Sequence, residues 1–393
     1  MGIPKLTSKL APYSRRKDGE FLRGCDIHID GCNFTHVGEE FFSTNGFLST
    51  FRENIDNVLS LNAKSVTMYF DSAIPPKKIP VRIQRLRQVI ANTTWTKGFQ
   101  YNDLAIYEIT QNYPQIEIVF TGSEAEDYIM YKLGQVYNFE RLQLVFSNDS
   151  DCFTFQIPGA KQVEIISSNN SCDWPQNFLC YNLDNVTKSR FVQRYLHEPV
   201  KPLGQVLINP KNKIRVVEEF LHGVRLYNTR VAFLPVIPTN PQVPNPYDAG
   251  QEWRQAAYAY LLSSEEEVVE YRQYYGIAAP FTVYPKMALQ NALAEKLKST
   301  DIVEILAQSA EDYFKSPQPE LRSYLNSIKN SQIKHVQDFD QSSPVVSQCV
   351  EKCCIIAALY NSISIFSMAL SLPIDMHALV WKIDPTELAK RMG

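Results

Sequence analysis

The sequence predicts an α/β domain with a mainly parallel central sheet, followed by a mostly α-helical C-terminal part. Three observations predict it. Over residues 1–185, short β-branched and aromatic runs alternate with segments of helical period, the pattern of strands joined by crossover helices. Acidic residues fall where those runs end. Beyond a stretch with five prolines among residues 235–246, the remaining patterns read as helical.

The runs are "DIHID" (26–30), "SVTMYFD" (65–71), "IEIVFTG" (116–122), "LQLVFSND" (142–149) and "KQVEIIS" (161–167). Between them lie "FLSTFRENIDNVLSLN" (47–62), a basic helical region after Asp71, and "SEAEDYIMYKLGQVY" (123–137). Three segments follow: an α/β domain over 1–185, a connecting region over 186–248 holding the proline-rich linker 235–246, and a helical domain over 249–393. In the last, "EWRQAAYAYLL" and "EEEVVEYRQYY" both read as helices.

Composition excludes several classes. With 45% hydrophobic and 21% charged residues, the 393-residue chain is globular, and its net charge of −3 leaves any nucleic-acid surface local. Eight scattered cysteines without a C-x-x-C pair read as reduced thiols of the cytosol or nucleus. No apolar leader opens the chain, and Leu6 stands where myristoylation needs Ser or Thr. The apolar run 354–372 is interrupted by Asn361 and serines, which suits a buried helix better than a membrane span. No P-loop, dinucleotide fingerprint or zinc spacing is present.

Asp30, Asp71, Asp149 and Asp151 close strands, and Glu124 and Glu126 follow the third strand directly. In an open parallel sheet these positions share the crevice beyond the strand ends, where ligands bind. Six carboxylates there repel one another unless a hard divalent cation joins them, as Mg²⁺ or Mn²⁺ does. Two such ions form the clamp used in phosphodiester hydrolysis. Each acid also has a plain structural reading. Asp30 and Asp71 suit turns, "SEAE" is a capping box on Ser123, and Asp149 suits an Asx turn.

"MGIPKLTSKL", "IDG", "YFDSAIPPKK", "GSEAEDYI" and "SNDSDCFTF" together resemble the XPG/flap endonuclease superfamily, in wording closest to its Asteroid branch. The resemblance covers roughly residues 1–185 and implies a PIN-like nuclease domain. It implies that Asp30, Asp71, Glu124, Glu126, Asp149 and Asp151 are catalytic, metal-binding acids and that Gly2 lies beside the active site. It also implies a basic arch after Asp71. Residues 72–100 contain six Lys or Arg and no acid, so Lys77, Lys78, Arg82, Arg85 and Arg87 become candidate contacts to DNA or RNA phosphates. The family's "G-x-D" block has no counterpart in residues 185–224, and Ser72 replaces a more usual Gly. Two readings stand: a Mg²⁺- or Mn²⁺-dependent structure-specific nuclease, and a weakened nuclease fold serving as a nucleic-acid-binding or regulatory scaffold.

Overall fold

A computed structural model describes residues 3, 5–35, 44–71, 78–92, 101–121, 123–166, 178–202, 207–208, 230–234, 245–274, 277–329 and 344–370. In chain order the helices are α1 (Leu6–Leu10), α2 (Gly31–Thr35), α3 (Thr44–Leu59), α4 (Ile79–Asn92), α5 (Tyr101–Asn112), α6 (Ala125–Gly134), α7 (Leu183–Thr187), α8 (Gln251–Leu262), α9 (Met287–Ser299), α10 (Ile302–Phe314), α11 (Pro319–Lys329) and α12 (Pro344–Ala369). The strands are β1 (Ser14–Lys17), β2 (Asp26–Asp30), β3 (Ser65–Asp71), β4 (Ile116–Thr121), β5 (Gln143–Phe146), β6 (Val163–Ile166), β7 (Phe178–Asn182), β8 (Leu207–Ile208), β9 (Val231–Phe233), β10 (Val268–Tyr274) and β11 (Ile277–Val283). The chain divides into two compact units, one of Met1–Glu39, Ser49–Ala73 and Glu108–Lys213, the other of Glu40–Leu48, Ile74–Tyr107 and Ile214–Gly393.

The first unit holds an eight-stranded sheet in the order β1-β7-β6-β5-β2-β3-β4-β8. Its centre is parallel: β2 pairs with β3 and β5, β3 with β4, and β5 with β6. The antiparallel pairings lie at the margins, β1 with β7, β6 with β7, and β4 with β8. The α/β fold class read from the sequence is the one observed. The central strands are apolar on both faces, as crossover connections require. Ile27, Ile29, Met68, Phe70, Ile118 and Phe120 are buried on one side. Tyr69, Val119, Val145, Ile165 and Tyr181 pack on the other with Leu6, Leu10, Ile129, Leu133 and Phe153.

On that second face runs a buried polar file. His28 Nε2 donates to Gln143 Oε1 at 2.9 Å, which leaves Nδ1 to accept from the Tyr69 hydroxyl at 2.9 Å. Lys132 Nζ of α6 donates to the same hydroxyl at 3.2 Å. Burial lowers the imidazole pKa to about 4, so His28 is neutral and fixes the register of β2 against β3 and β5.

The second unit corrects one expectation. Within "EEEVVEYRQYY", Val268–Tyr274 is a strand, not a helix: β10 lies between β9 and β11 in a three-stranded sheet. Val268, Glu270 and Arg272 face inward and are buried, while Val269 and Tyr271 face outward. The period is therefore two, hidden because charges occupy the inner positions and apolar residues the outer ones. Glu270 is tolerated inside because Arg254 of α8 pairs with it at 2.7 Å and the Tyr258 hydroxyl donates to it at 2.6 Å. "IAAPFTV" likewise forms β11, so the C-terminal part is helical with a small sheet rather than all-helical. Of the linker 235–246, residues 235–244 lie outside the described residues. The apolar run after residue 354 falls on α12, which packs on α8 and α10. Among the described residues no helix is long and apolar enough to cross a membrane.

Candidate functional site

The acids are set in place by local structure. Asp30 ends β2, where its Oδ1 accepts from the Asn33 N–H at 3.0 Å and so caps α2. Its Oδ2 accepts from Ser147 Oγ at 3.2 Å, and Ser147 Oγ in turn accepts from the Asp149 N–H at 3.1 Å. One hydroxyl thus ties the end of β2 to the loop after β5. The turn from β2 into α2 passes so close to β3 that a Cβ on Gly31 would lie 2.8 Å from both the Phe70 ring and the Tyr69 carbonyl oxygen. Glycine at 31 is what lets Asp30 sit beside the end of β3.

Asp71 ends β3, and its Oδ1 accepts from the Ala125 N–H at 2.8 Å. A side chain from the neighbouring strand therefore caps α6. The capping box suggested by "SEAE" does not form: Glu124 is the N-cap residue and makes no side-chain cap bond, and Ser123 Oγ donates to the Glu124 carbonyl instead. Asp149 caps a 3-10 turn over Ser150–Thr154 by accepting from the Asp151 N–H at 3.1 Å. The Asx-turn reading of Asp149 is thus realised alongside its place in the cluster.

Asp30, Asp71, Glu124 and Glu126 are 3%, 8%, 9% and 8% exposed, so their charges are poorly hydrated. Burial and then the charge of Asp71 push the Asp30 pKa up to about 7, against hydrogen bonds from Asn33 and Ser147 that pull it down. Glu126 is pushed well above the usual carboxylate range by burial, then by Asp30, Asp71, Glu124 and Asp149. Every charge in that set is negative. The buried Cys152 thiol is raised too, first by burial and then by Glu126. The first unit therefore draws five of the six predicted acids to one locus. Asp151 is half-buried and joins through its N–H bond to Asp149.

The donor set fits a hard divalent cation, being oxygen-rich, buried and opposed by other acids. Among the described residues no three His, Cys, Asp or Glu are grouped so as to hold a metal ion. Asn33, Ser147, Gly31 and Cys152 complete the locus; Gly31, Ser147 and Cys152 lie within the motifs "IDG" and "SNDSDCFTF", but their part in the site is not read from them. Only Ser147, two residues before Asp149 at a strand end, carries a hint in its spacing.

Of the predicted nucleic-acid contacts, Gly2 and Lys77 lie outside the described residues. Lys78 immediately precedes α4, with Arg82 and Arg85 half-buried and Arg87 exposed on the helix. This helix belongs to the second unit and packs on β11.

No protein-family model matches the sequence, and no curated protein matches it. Among solved structures, the chain is similar to the catalytic core of Rad2 in complex with DNA substrate, with 18% identity, a TM-score of 0.35, and 48% of this chain and 56% of that one covered. It is similar to human GEN1 in complex with Holliday junction DNA at 16% identity and a TM-score of 0.34, covering 51% and 52%. Flap endonuclease-1 from Methanococcus jannaschii shows 14% identity and a TM-score of 0.31, covering 46% and 64%. The chain spans about half the length of the Rad2 and GEN1 structures it matches.

Proposed function

We propose that the chain is a Mg²⁺- or Mn²⁺-dependent structure-specific nuclease of PIN-like fold. It would hydrolyse phosphodiester bonds in DNA, with RNA as the alternative, on substrates carrying single strands or flaps. Glu126 carries the reading. Asp30, Asp71 and Asp149 each make a capping bond, and a retired scaffold would keep them for that reason alone. Glu126 is buried on α6 with other acids as the charges around it, an arrangement that costs stability without a ligand.

Asp30, Asp71, Glu124, Glu126, Asp149 and Asp151 would hold the metal, in the two-ion arrangement that the resemblance implies. Bound ions of this kind activate water and stabilise the leaving oxygen. The chain's own groups hold the acids ready. Asn33 and Ser147 orient Asp30, and Asp71 fixes the N-terminus of α6, so that Glu124 and Glu126 enter the locus on a rigid helix. Lys77, Lys78, Arg82, Arg85 and Arg87 would bind substrate phosphates.

The test compares wild type with Glu126→Gln on labelled flap, overhang and single-strand substrates in Mg²⁺, Mn²⁺ or EDTA, with melting curves to verify folding. Expected are metal-dependent cleavage by wild type and its loss in a folded Glu126→Gln protein. Equal cleavage by both would overturn the assignment. A folded wild type that binds nucleic acid and never cuts would select the scaffold, the reading that the capping bonds favour.

A further inference from the structure

We infer that the first unit carries a second nucleic-acid surface, a basic and aromatic strip at the β1–β7 end of the sheet that takes a single strand by its phosphates and bases. The inference rests on the nucleic-acid reading above but on none of its residues. Two chain segments build the strip, and each lacks acids in a chain of net charge −3. Residues 1–17 contain five Lys or Arg and no Asp or Glu, and residues 185–197 contain three and no acid, of which Lys188 is paired with Asp184 at 2.7 Å and leaves Arg190 and Arg194 to the strip.

The fold brings the two together. Lys9 Nζ lies 5.9 Å from the Phe191 ring centroid, and the Arg190 guanidinium lies 5.0 Å from the same ring. Arg194 stacks on Tyr195 at 4.6 Å. Phe191 is anchored against the core that holds Leu6 and Leu10. Arg16 stands on that same side, because its β1 neighbour Ser14 pairs with the core residue Tyr181. Lys9, Arg16, Arg190 and Arg194 are exposed, and Phe191 and Tyr195 are half-exposed.

Cations held over rings place charge and a stacking plane side by side. That combination suits a strand whose bases are unpaired, since phosphates meet the cations and base faces meet rings or guanidinium planes. A duplex offers phosphates but hides its base faces. The strip also leads to the acids. Ser150, between Asp149 and Asp151, donates to the Ile3 carbonyl at 3.3 Å, and Lys9 lies six residues on in the sequence. A strand on the strip would therefore run toward the acidic locus.

The test measures binding of full-length protein to a labelled oligothymidylate in EDTA across a salt series, using wild type, Arg190→Ala/Arg194→Ala and Glu126→Gln. The double variant should bind about tenfold or more weakly, with its log–log salt slope reduced by roughly 1.4, or ~0.7 for each lost phosphate contact. An abasic oligomer of equal length should bind wild type about fivefold or more weakly than oligothymidylate. An unchanged affinity and slope in the double variant overturns the strip. Equal binding of the abasic oligomer overturns its stacking role. The Glu126→Gln arm separates this inference from the catalytic one. Lost cleavage there, with unaltered binding by the double variant, sinks the strip alone. Reduced binding by the double variant, with a wild type that never cuts, leaves the strip standing and sinks the nuclease.

Discussion

Replacing Asp30 with Asn should stabilise the metal-free protein at alkaline pH and give little advantage in acid. The folded-state pKa of Asp30 is raised to about 7 from 3.8, so the native state binds more protons than the unfolded chain between those values. Stability contributed by the protonated form is complete below pH ~4 and lost as pH rises through ~7. At ~1.4 kcal/mol per pKa unit, the ionised carboxylate costs the fold about 4 kcal/mol at pH 8 as an upper bound. Asparagine removes that charge and keeps the shape. Its Oδ1 can still accept from the Asn33 N–H, but its Nδ2 meets Ser147 Oγ, whose hydroxyl must turn to accept. Exchanging the bond to a carboxylate for this weaker, reversed one forfeits ~1 kcal/mol, which leaves a net gain of about 2–3 kcal/mol. Melting curves in EDTA at pH 5 and pH 8 provide the assay, with Tm expected to rise by several degrees at pH 8. A variant less stable than wild type at pH 8 would refute the reasoning, because Asp30 would then be a cap whose charge is harmless.

Glu126→Gln should stabilise the metal-free protein in the same direction, and the double variant with Asp30→Asn should gain less than the two single gains together, since each acid relieves the other. Mg²⁺ or Mn²⁺ should raise the wild-type Tm by mass action on the native state, an effect that Asp149→Asn/Asp151→Asn should weaken while abolishing cleavage. Arg82→Ala/Arg85→Ala should lower the salt slope of nucleic-acid binding by roughly 1.4–1.8 with little change in Tm. Gly31→Ala should destabilise by about 1–3 kcal/mol in urea melts, because the added methyl meets the Tyr69 carbonyl and the Phe70 ring. Glu270→Gln should cost about 3–5 kcal/mol, since it leaves the buried Arg254 without its carboxylate and Arg272 with Asp248 alone of its two.

The parallel centre of the sheet and the strand ends at Asp30 and Asp71 were legible in the sequence, whereas β5 ends at Phe146, so Asp149 and Asp151 stand in the loop and 3-10 turn beyond it rather than closing the strand. Apolar runs of strand length joined by helical segments leave little freedom when crossovers must return every strand in the same direction. Only tertiary structure decided what each acid does. That Asp71 caps a helix 54 residues away, or that Ser147 joins Asp30 to Asp149, depends on contacts between strands distant in sequence, which no local spacing encodes. The same reason hid β10. Its inward Glu270 and Arg272 look like a solvated helix face until Arg254, from another element, supplies the counter-charge that lets them be buried. Lys9 and Arg190, unremarkable as lone basic residues in sequence, become one feature because the packing of α1 brings Lys9 to the Phe191 ring beside which Arg190 already stands.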